Sequence, residues 1–414
     1  MQLLRQILRS YRQSFTGLSR ETWLLASVIL INRCGFMAVP FMSLYLTQHL
    51  HRPATDAGLV ITLFGVGSIA GAAVGGMLTD RIGYRPVQVG ALLLGGALFL
   101  LFGAVTHFPT LCALSLVIPF FTEAFRPANF AATHAYAKPG TNTRSYALNR
   151  LAMNIGWAVG SAMGGLLAAH DYRAIFWVDG SISILAGITL WILLPPLRSA
   201  MGKARTAVRK GTQLWHDSLF LRFMAVTTLF ATCFFLMFRI GPLFFKEQWH
   251  LRETTIGLVL GFNGIIIALF EMVLITRIEK RRTPLHFAVL GAFFLAASYL
   301  FLLLPAGWAL LNALASMLFF TIGEMFALPF INSFVNSRSH EGNRGQYAAG
   351  YTLCWSFAQV VGPAGGFFLA EHWGYPLLWS ALTALLLIAA WGYALLSRRI
   401  YSENEARSLA ELTG

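Results

Sequence analysis

Acidic side chains are scarce in this sequence: 17 Asp and Glu stand among 414 residues, against 31 Lys and Arg. Charge of both signs reaches only 12%, about half the share of an ordinary soluble domain. Too little charge is present to cover the surface of a water-soluble globule of this length. Cysteine is equally thin. Cys34, Cys112, Cys233 and Cys354 fall inside apolar stretches without metal-ligand spacing, which excludes a cysteine-held metal site and reads as buried, inert thiols. No nucleotide loop, metal-ligand cluster or nucleophile–base constellation is present. His49 and His51 lie near the end of the first apolar stretch, and the other histidines are scattered. An enzyme, a cofactor and a bound metal are therefore not expected.

What is abundant is apolar surface. Hydrophobic residues make up 57% of the chain and mean hydropathy is +0.63. A membrane-spanning helix needs about 20 mostly apolar residues. Twelve such segments are read at 22–48, 56–79, 86–106, 109–135, 146–168, 174–196, 219–245, 254–276, 285–304, 309–335, 346–370 and 374–397. The expected class is an all-α polytopic membrane protein. The first segment is too long for a cleavable signal peptide and lacks a small-residue cleavage site. Residues 1–21, with Leu3, Leu4, Ile7 and Leu8 beside Arg5, Arg9 and Arg12, read as an amphipathic segment on the lipid surface.

Net charge is +14, but its distribution argues against nucleic acid. With the N-terminus inside, the basic residues gather on the cytoplasmic side, as at Arg81, Arg85, Arg205, Arg281, Arg282 and Arg398. The opposite side carries Arg52, Arg173, Lys246 and Arg252. This is the positive-inside bias. It places both termini in the cytoplasm and fits a bacterial inner membrane. The sixth segment ends at Pro195-Pro196, and a linker at 198–218 separates two six-span halves, 22–197 and 219–398, with a tail at 399–414.

The halves repeat. Glu123, Tyr146 and Gly164-Gly165 recur as Glu324, Tyr347 and Gly365-Gly366, each 201 positions later, and Pro40 and Pro242 keep nearly the same step. A sustained offset argues for duplication, giving two pseudo-symmetric six-helix bundles.

Between the second and third segments the chain reads Gly76-Met77-Leu78-Thr79-Asp80-Arg81-Ile82-Gly83-Tyr84-Arg85-Pro86. This resembles the cytoplasmic loop motif of the major facilitator superfamily, in which Gly, Asp, Arg, Gly and Arg recur at this spacing. Pro86 replaces the usual last basic residue. The resemblance implies a conformational latch at Gly76, Asp80, Arg81, Gly83 and Arg85. The corresponding second-half loop, 277–282, keeps charge without the pattern. Gly156, Gly160, Gly164 and Gly165 in the fifth segment resemble the glycine motif of drug–proton antiporters, with Ser161 in place of proline. Gly362, Gly365 and Gly366 form a related run in the eleventh. Small residues at this spacing also serve plain helix packing. Asn32-Arg33 and Glu123-Ala124-Phe125-Arg126-Pro127 more distantly resemble proton-dependent oligopeptide transporters, with Asn32 where that branch has an acid.

The deepest ionisable residues are Arg33, Glu123, Arg126, Arg239 and Glu324, in segments one, four, seven and ten. In the superfamily those segments line the central cavity. Intramembrane charge is expensive and marks solute or proton paths. Glu123 is expected to pair with Arg33 or Arg126, and Glu324 with Arg239. Either acid would then exchange an arginine for a proton, and Glu324, with fewer arginines nearby, is the better candidate carrier. A static buried ion pair is the alternative. Arg150, Asp179 and Glu271 lie off those segments and read as structural or gating charges. Asn32, Phe36, Tyr45, Asn129, Trp157, Phe235, Asn263, Tyr351 and Trp355 are candidate cavity residues. The implied activity is proton-coupled transport of a small organic solute by a monomer in lipid, driven by the proton gradient. Export of amphiphilic or drug-like compounds by proton antiport is the leading reading; import of peptide-like or other small metabolites by symport, and a transporter-like receptor or scaffold that binds without moving its ligand, are the alternatives.

Overall fold

A computed structural model describes residues 17–35, 37–139, 141–195, 214–278, 281–339 and 344–413. The expected amphipathic segment before residue 17, most of the linker and Phe36 lie outside them. The described residues are helical, and twelve helices or helix pairs are long and apolar enough to cross a membrane. The expected all-α polytopic class is what the chain adopts. The first span is α1 (Arg20–Gly35) and α2 (Ala38–Leu44), followed by a π-helical turn at Tyr45–His49. Then come α3 (Ala54–Ile82), α4 (Tyr84–Ala104), α5 (Phe108–Thr122), α6 (Phe125–Tyr136), α7 (Asn142–Ala168) and α8 (Tyr172–Leu193). The second half holds α9 (Ser218–Arg239), α10 (Gly241–Glu247), α11 (Glu253–Ile278), α12 (Pro284–Phe301), α13 (Ala309–Arg338), α14 (Arg344–Trp373) and α15 (Tyr375–Thr413).

Packing divides the chain into two compact units. One holds Met1–Ala204 with Arg239–Leu269, the other Arg205–Phe238 with Phe270–Gly414. The first therefore includes α10 and most of α11 as well as α1 to α8. Its core includes Leu25, Ile29, Val87, Ala91, Phe125, Ala128 and Leu190. In the second unit, Tyr299 stacks on Trp379 at 5.5 Å and donates to the Cys233 carbonyl at 2.6 Å, joining α12 to α15 and α9.

Proline breaks three spans. Pro40, Pro127 and Pro242 cannot donate to the carbonyl four residues earlier, and each ring crowds the preceding turn. The interruptions follow at once: α1 stops at Gly35 and α2 resumes at Ala38, α5 stops at Thr122 and α6 resumes at Phe125, α9 stops at Arg239 and α10 resumes at Gly241. The Glu123 carbonyl, which Pro127 cannot serve, takes the Arg126 N–H at 3.2 Å. Pro329 instead sits inside an unbroken α13.

The glycines of α7 let α1 and α2 approach. A Cβ on Gly156 would stand 2.5 Å from the Arg33 Cβ, and one on Gly160 2.7 Å from the Arg33 carbonyl oxygen. Gly164 faces Met37 and Phe41, while Gly165 meets Gly257 of α11. The related second-half run is looser: Gly362 has only ordinary contact with Thr232, and Gly365 meets nothing within 4 Å.

One joint is built in both units. Ser19 caps α1, accepting from the Thr22 N–H at 3.1 Å and donating to the Tyr136 carbonyl at 2.7 Å. Asp217 caps α9 through the Phe220 N–H at 3.1 Å and takes two bonds from Arg338, at 2.9 and 3.1 Å, and one from the Tyr347 hydroxyl at 2.8 Å. Burial acts to raise the Asp217 carboxyl pKa. The bonds from Arg338, Tyr347 and the Phe220 amide, with the Arg338 charge, outweigh it and hold the group below its ordinary range.

Two stability outcomes follow. Gly160→Ala is expected to lower the unfolding midpoint in detergent by an amount worth about 1–3 kcal/mol, as overpacking does, whereas Gly365→Ala leaves it unchanged or slightly raised. Because the folded pKa of Asp217 is depressed, its contribution is present above the ordinary carboxylate pKa of about 3.9 and is lost as pH falls through the lower folded value. Asp217→Asn should therefore cost about 1–3 kcal/mol at pH 7, and thermal melts of the two proteins should begin to converge as pH falls below about 4 and meet only below the depressed folded value.

Candidate functional site

Three charges sit at the three proline breaks. Arg33 and Arg239 occupy the last turns of α1 and α9, where free carbonyls and the helix dipole favour a cation. Glu123 lies between α5 and α6. The first unit brings two of them, Arg33 and Glu123, to one cavity. Asn32, Arg33, Thr122, Glu123, Phe125 and Arg126 line one cavity, with Phe99, Asp179 and Ser183 opposite.

Glu123 is the shared carboxylate. Its side chain is 21% exposed and stands 4.0 Å from Arg126, which is 72% exposed. It also attracts Arg33 and Arg239. Arg239 is 8% exposed, and its guanidinium lies 5.9 Å from the centre of the Phe64 ring. Glu123 thus attracts Arg239, which the sequence pairs with Glu324. Glu324 lies in the second unit, half-buried on α13, one turn beyond Phe320.

Sequence reasoning set Asp179 aside, yet it lines this cavity. It is 1% exposed, accepts the Ala38 N–H at 3.3 Å and attracts Arg33. It therefore serves a backbone amide freed at the first break. The available signal was a lone acid in the sixth segment, but nothing in its spacing says that it faces a broken helix one bundle position away. Asn32 donates to Ser183 at 3.5 Å across the same cavity.

Other expected residues scatter. Tyr45 is fully buried, edge-on to Phe176 at 4.8 Å and beside Phe102 at 6.1 Å, so it packs in the core. Asn129 accepts from Gln88 at 3.2 Å. Trp157 is half-buried on α7 and Asn263 buried on α11, two helices that meet where Gly261 and Gly264 pass Ala158. In the second unit Phe235 and Tyr351 flank Trp355 at 5.6 and 6.0 Å, and Phe234 stacks on Phe320 at 5.2 Å. These rings form an aromatic wall on α9 and α14 that meets Phe320 of α13, the helix that carries Glu324.

The loop motif works through a residue other than the acid. Gly83 turns the chain at φ 89°, a region that favours glycine. Arg85 donates to the Trp191 carbonyl of α8, which has no helical partner because the residue four later is Pro195. Asp80 and Arg81 are exposed, and Gly76 faces open space. Among the described residues Asp80 makes no ion pair.

Residues 24–363 match the Major Facilitator Superfamily. The Na(+), Li(+), K(+)/H(+) antiporter of Planococcus maritimus is 24% identical over 367 residues, 80% of this chain and 85% of its own length. Multidrug resistance protein MdtH of Aeromonas salmonicida (strain A449) is 24% identical over 357 residues, 84% of this chain and 87% of its own. The crystal structure of nucleoside transporter NupG superposes with a TM-score of 0.77 at 12% identity, over 91% of this chain and 99% of that one; identity so low bears on fold alone. A match running through most of the residues shows the family, and with twelve spans the conclusion is plain: this is a multi-pass membrane transporter, not an enzyme, and it belongs to the major facilitator superfamily.

Proposed function

We propose that the chain is a proton-coupled secondary transporter that exports amphiphilic, drug-like organic compounds in exchange for protons. The observation that carries this reading is Glu123, a half-buried carboxylate at a helix break, shared among Arg33, Arg126 and Arg239. A carboxylate with several loosely held partners can trade one of them for a proton when a helix half moves. A single tight pair cannot do so without leaving a buried charge. Glu324, beside the aromatic wall of the second unit, is the second candidate for the proton. The antiporter of Planococcus maritimus and the multidrug resistance protein of Aeromonas salmonicida support exchange and export over import. The aromatic wall suits an apolar solute body. Positive-inside charge supports cytoplasmic termini, and the bacterial relatives support an inner membrane. The protein works as a monomer in this reading, with Gly83 and Arg85 tying α3 and α4 to α8 as the cycle proceeds.

The test is flux in sealed proteoliposomes under an imposed pH gradient, with a dye panel of cationic, neutral and anionic members. Glu123→Gln or Glu324→Gln should reduce gradient-driven flux at least about tenfold, corresponding to loss of a charge-assisted interaction, while dye exchange without a gradient persists. Undiminished gradient-driven flux in both variants would sink the coupling proposal. Uptake with the proton gradient instead of against it would replace export with symport.

A further inference from the structure

The cavity around Glu123 is too small for an organic solute. It offers about 20 Å³. About 10–15 Å³ holds one water, whereas pockets for organic ligands run to roughly 300–1,000 Å³. Its walls are α1, α4, the α5–α6 break and α8, all in the first unit. Exchange at Glu123 alone leaves Asp179 unused, yet this carboxylate, 1% exposed, faces the same space. Intramembrane carboxylates are costly and mark solute or proton paths. A solute does not fit here, which leaves the proton. Polar groups stand beside both acids. Thr122 adjoins Glu123 in the cavity wall. Ser183, one turn from Asp179 on α8, takes the Asn32 amide at 3.5 Å. Arg33 faces the space from α1 and attracts both acids, and Arg126 faces it from α6, 4.0 Å from Glu123. From α4 come only Ala91, Leu92 and Phe99. Among the described residues α7, which also packs on α8, lines none of it.

We propose that Asp179 and Glu123 share one proton through water in this cavity, so that the proton is carried inside the first unit, apart from the solute. Two carboxylates facing one small space repel, which favours a state in which one of them holds a proton. The protonated acid gives its proton to water, and that water gives one to the other carboxylate. The pair keeps one proton and one negative charge throughout. The Asp179 end is also mechanical, since it accepts the Ala38 N–H at 3.3 Å at the α1–α2 break. A proton on Asp179 replaces that charge-assisted bond with a weaker one, so the break registers which acid is ionised. This rests on reading Glu123 as the group that takes the proton.

The test is infrared difference spectroscopy of the purified full-length chain in lipid nanodiscs, titrated in pH and read at the protonated-carboxyl C=O stretch. Subtracting the Glu123→Gln/Asp179→Asn chain isolates the pair. The unmodified chain should lose this signal in two steps more than about one pH unit apart, as interacting acids do. Either single substitution should remove the higher step and leave the survivor near the lower one, because an uncharged neighbour mimics the protonated acid. Loss of different steps in the two variants means independent acids and overturns the proposal. So does a single step in the unmodified chain, or a profile untouched by Asp179→Asn. If Asp179→Asn does not fold, aspartate carrying carbon-13 in its carboxyl group separates the two acids by frequency. The labelled signal should then lose its higher step in Glu123→Gln, and a labelled signal that Glu123→Gln leaves unchanged overturns the proposal. A paired titration with gradient-driven flux indifferent to Glu123→Gln removes proton exchange and keeps the pair. Flux abolished by Glu123→Gln, with acids that titrate independently, does the reverse.

Discussion

A helix in lipid must satisfy its own backbone, because hydrocarbon offers no partner. The first unit departs from that constraint at three prolines, and its polar architecture follows from the departure. Each break frees carbonyls and amides that something inside the protein must meet. Asp179 meets the Ala38 amide, the Gly35 carbonyl takes the Met37 N–H at 2.6 Å, and the Arg126 amide turns back to the Glu123 carbonyl. Arginines stand in the last turns of α1 and α9, where exposed carbonyl ends favour a cation. Prolines and charges therefore belong to one device: breaks make room for charge at depth, and charge makes the breaks tolerable.

The two halves share positions but differ in chemistry. Ser19 with Tyr136, and Asp217 with Arg338, cap equivalent spans and tie each to the end of the span three further on. The first joint is neutral and the second ionic. Tyr146 donates to the Phe130 carbonyl, whereas its counterpart Tyr347 donates to Asp217. Gly164 is pressed against Met37 and Phe41, but Gly365 faces open space. Equal spacing in sequence preserved positions, not partners. The two acids follow the same pattern, with Glu123 near arginines and Glu324 on the helix whose Phe320 stacks on Phe234.

The spans were legible because a helix in lipid needs a long apolar run, which composition alone reveals. The site charges were legible because intramembrane charge is rare, so each one stands out. What stayed hidden depends on which face of one helix meets which gap in another. Asp179 reads from sequence only as a structural or gating charge, because the amide it serves is freed by a break in α1 that only the folded chain places opposite it. Tyr45 reads from sequence as cavity wall, because nothing in a run of aromatics announces the core packing that buries it. In the loop motif the acid attracts notice, yet Arg85 makes the bond, to a carbonyl that a proline over a hundred residues away leaves free. Local spacing names the reactive groups but does not reveal a partner set by tertiary contact.

The character of the Glu123 contacts bears on whether the cluster is static. A fixed buried ion pair offsets desolvation only with close, well-satisfied geometry. Asp217 and Arg338 have such geometry, with two bonds near 3 Å and a tyrosine and an amide completing the carboxylate. Glu123 does not: its pair with Arg126 stands 4.0 Å apart, to an arginine mostly exposed, and contacts of that kind are worth little. Both carboxylates lie at helix ends in one chain, so the contrast is not one of setting but of construction. Asp217 is built to stay bonded. Glu123 is held by several weak attractions, none of which fixes it, and that is the arrangement a group needs if it is to change partners during a cycle.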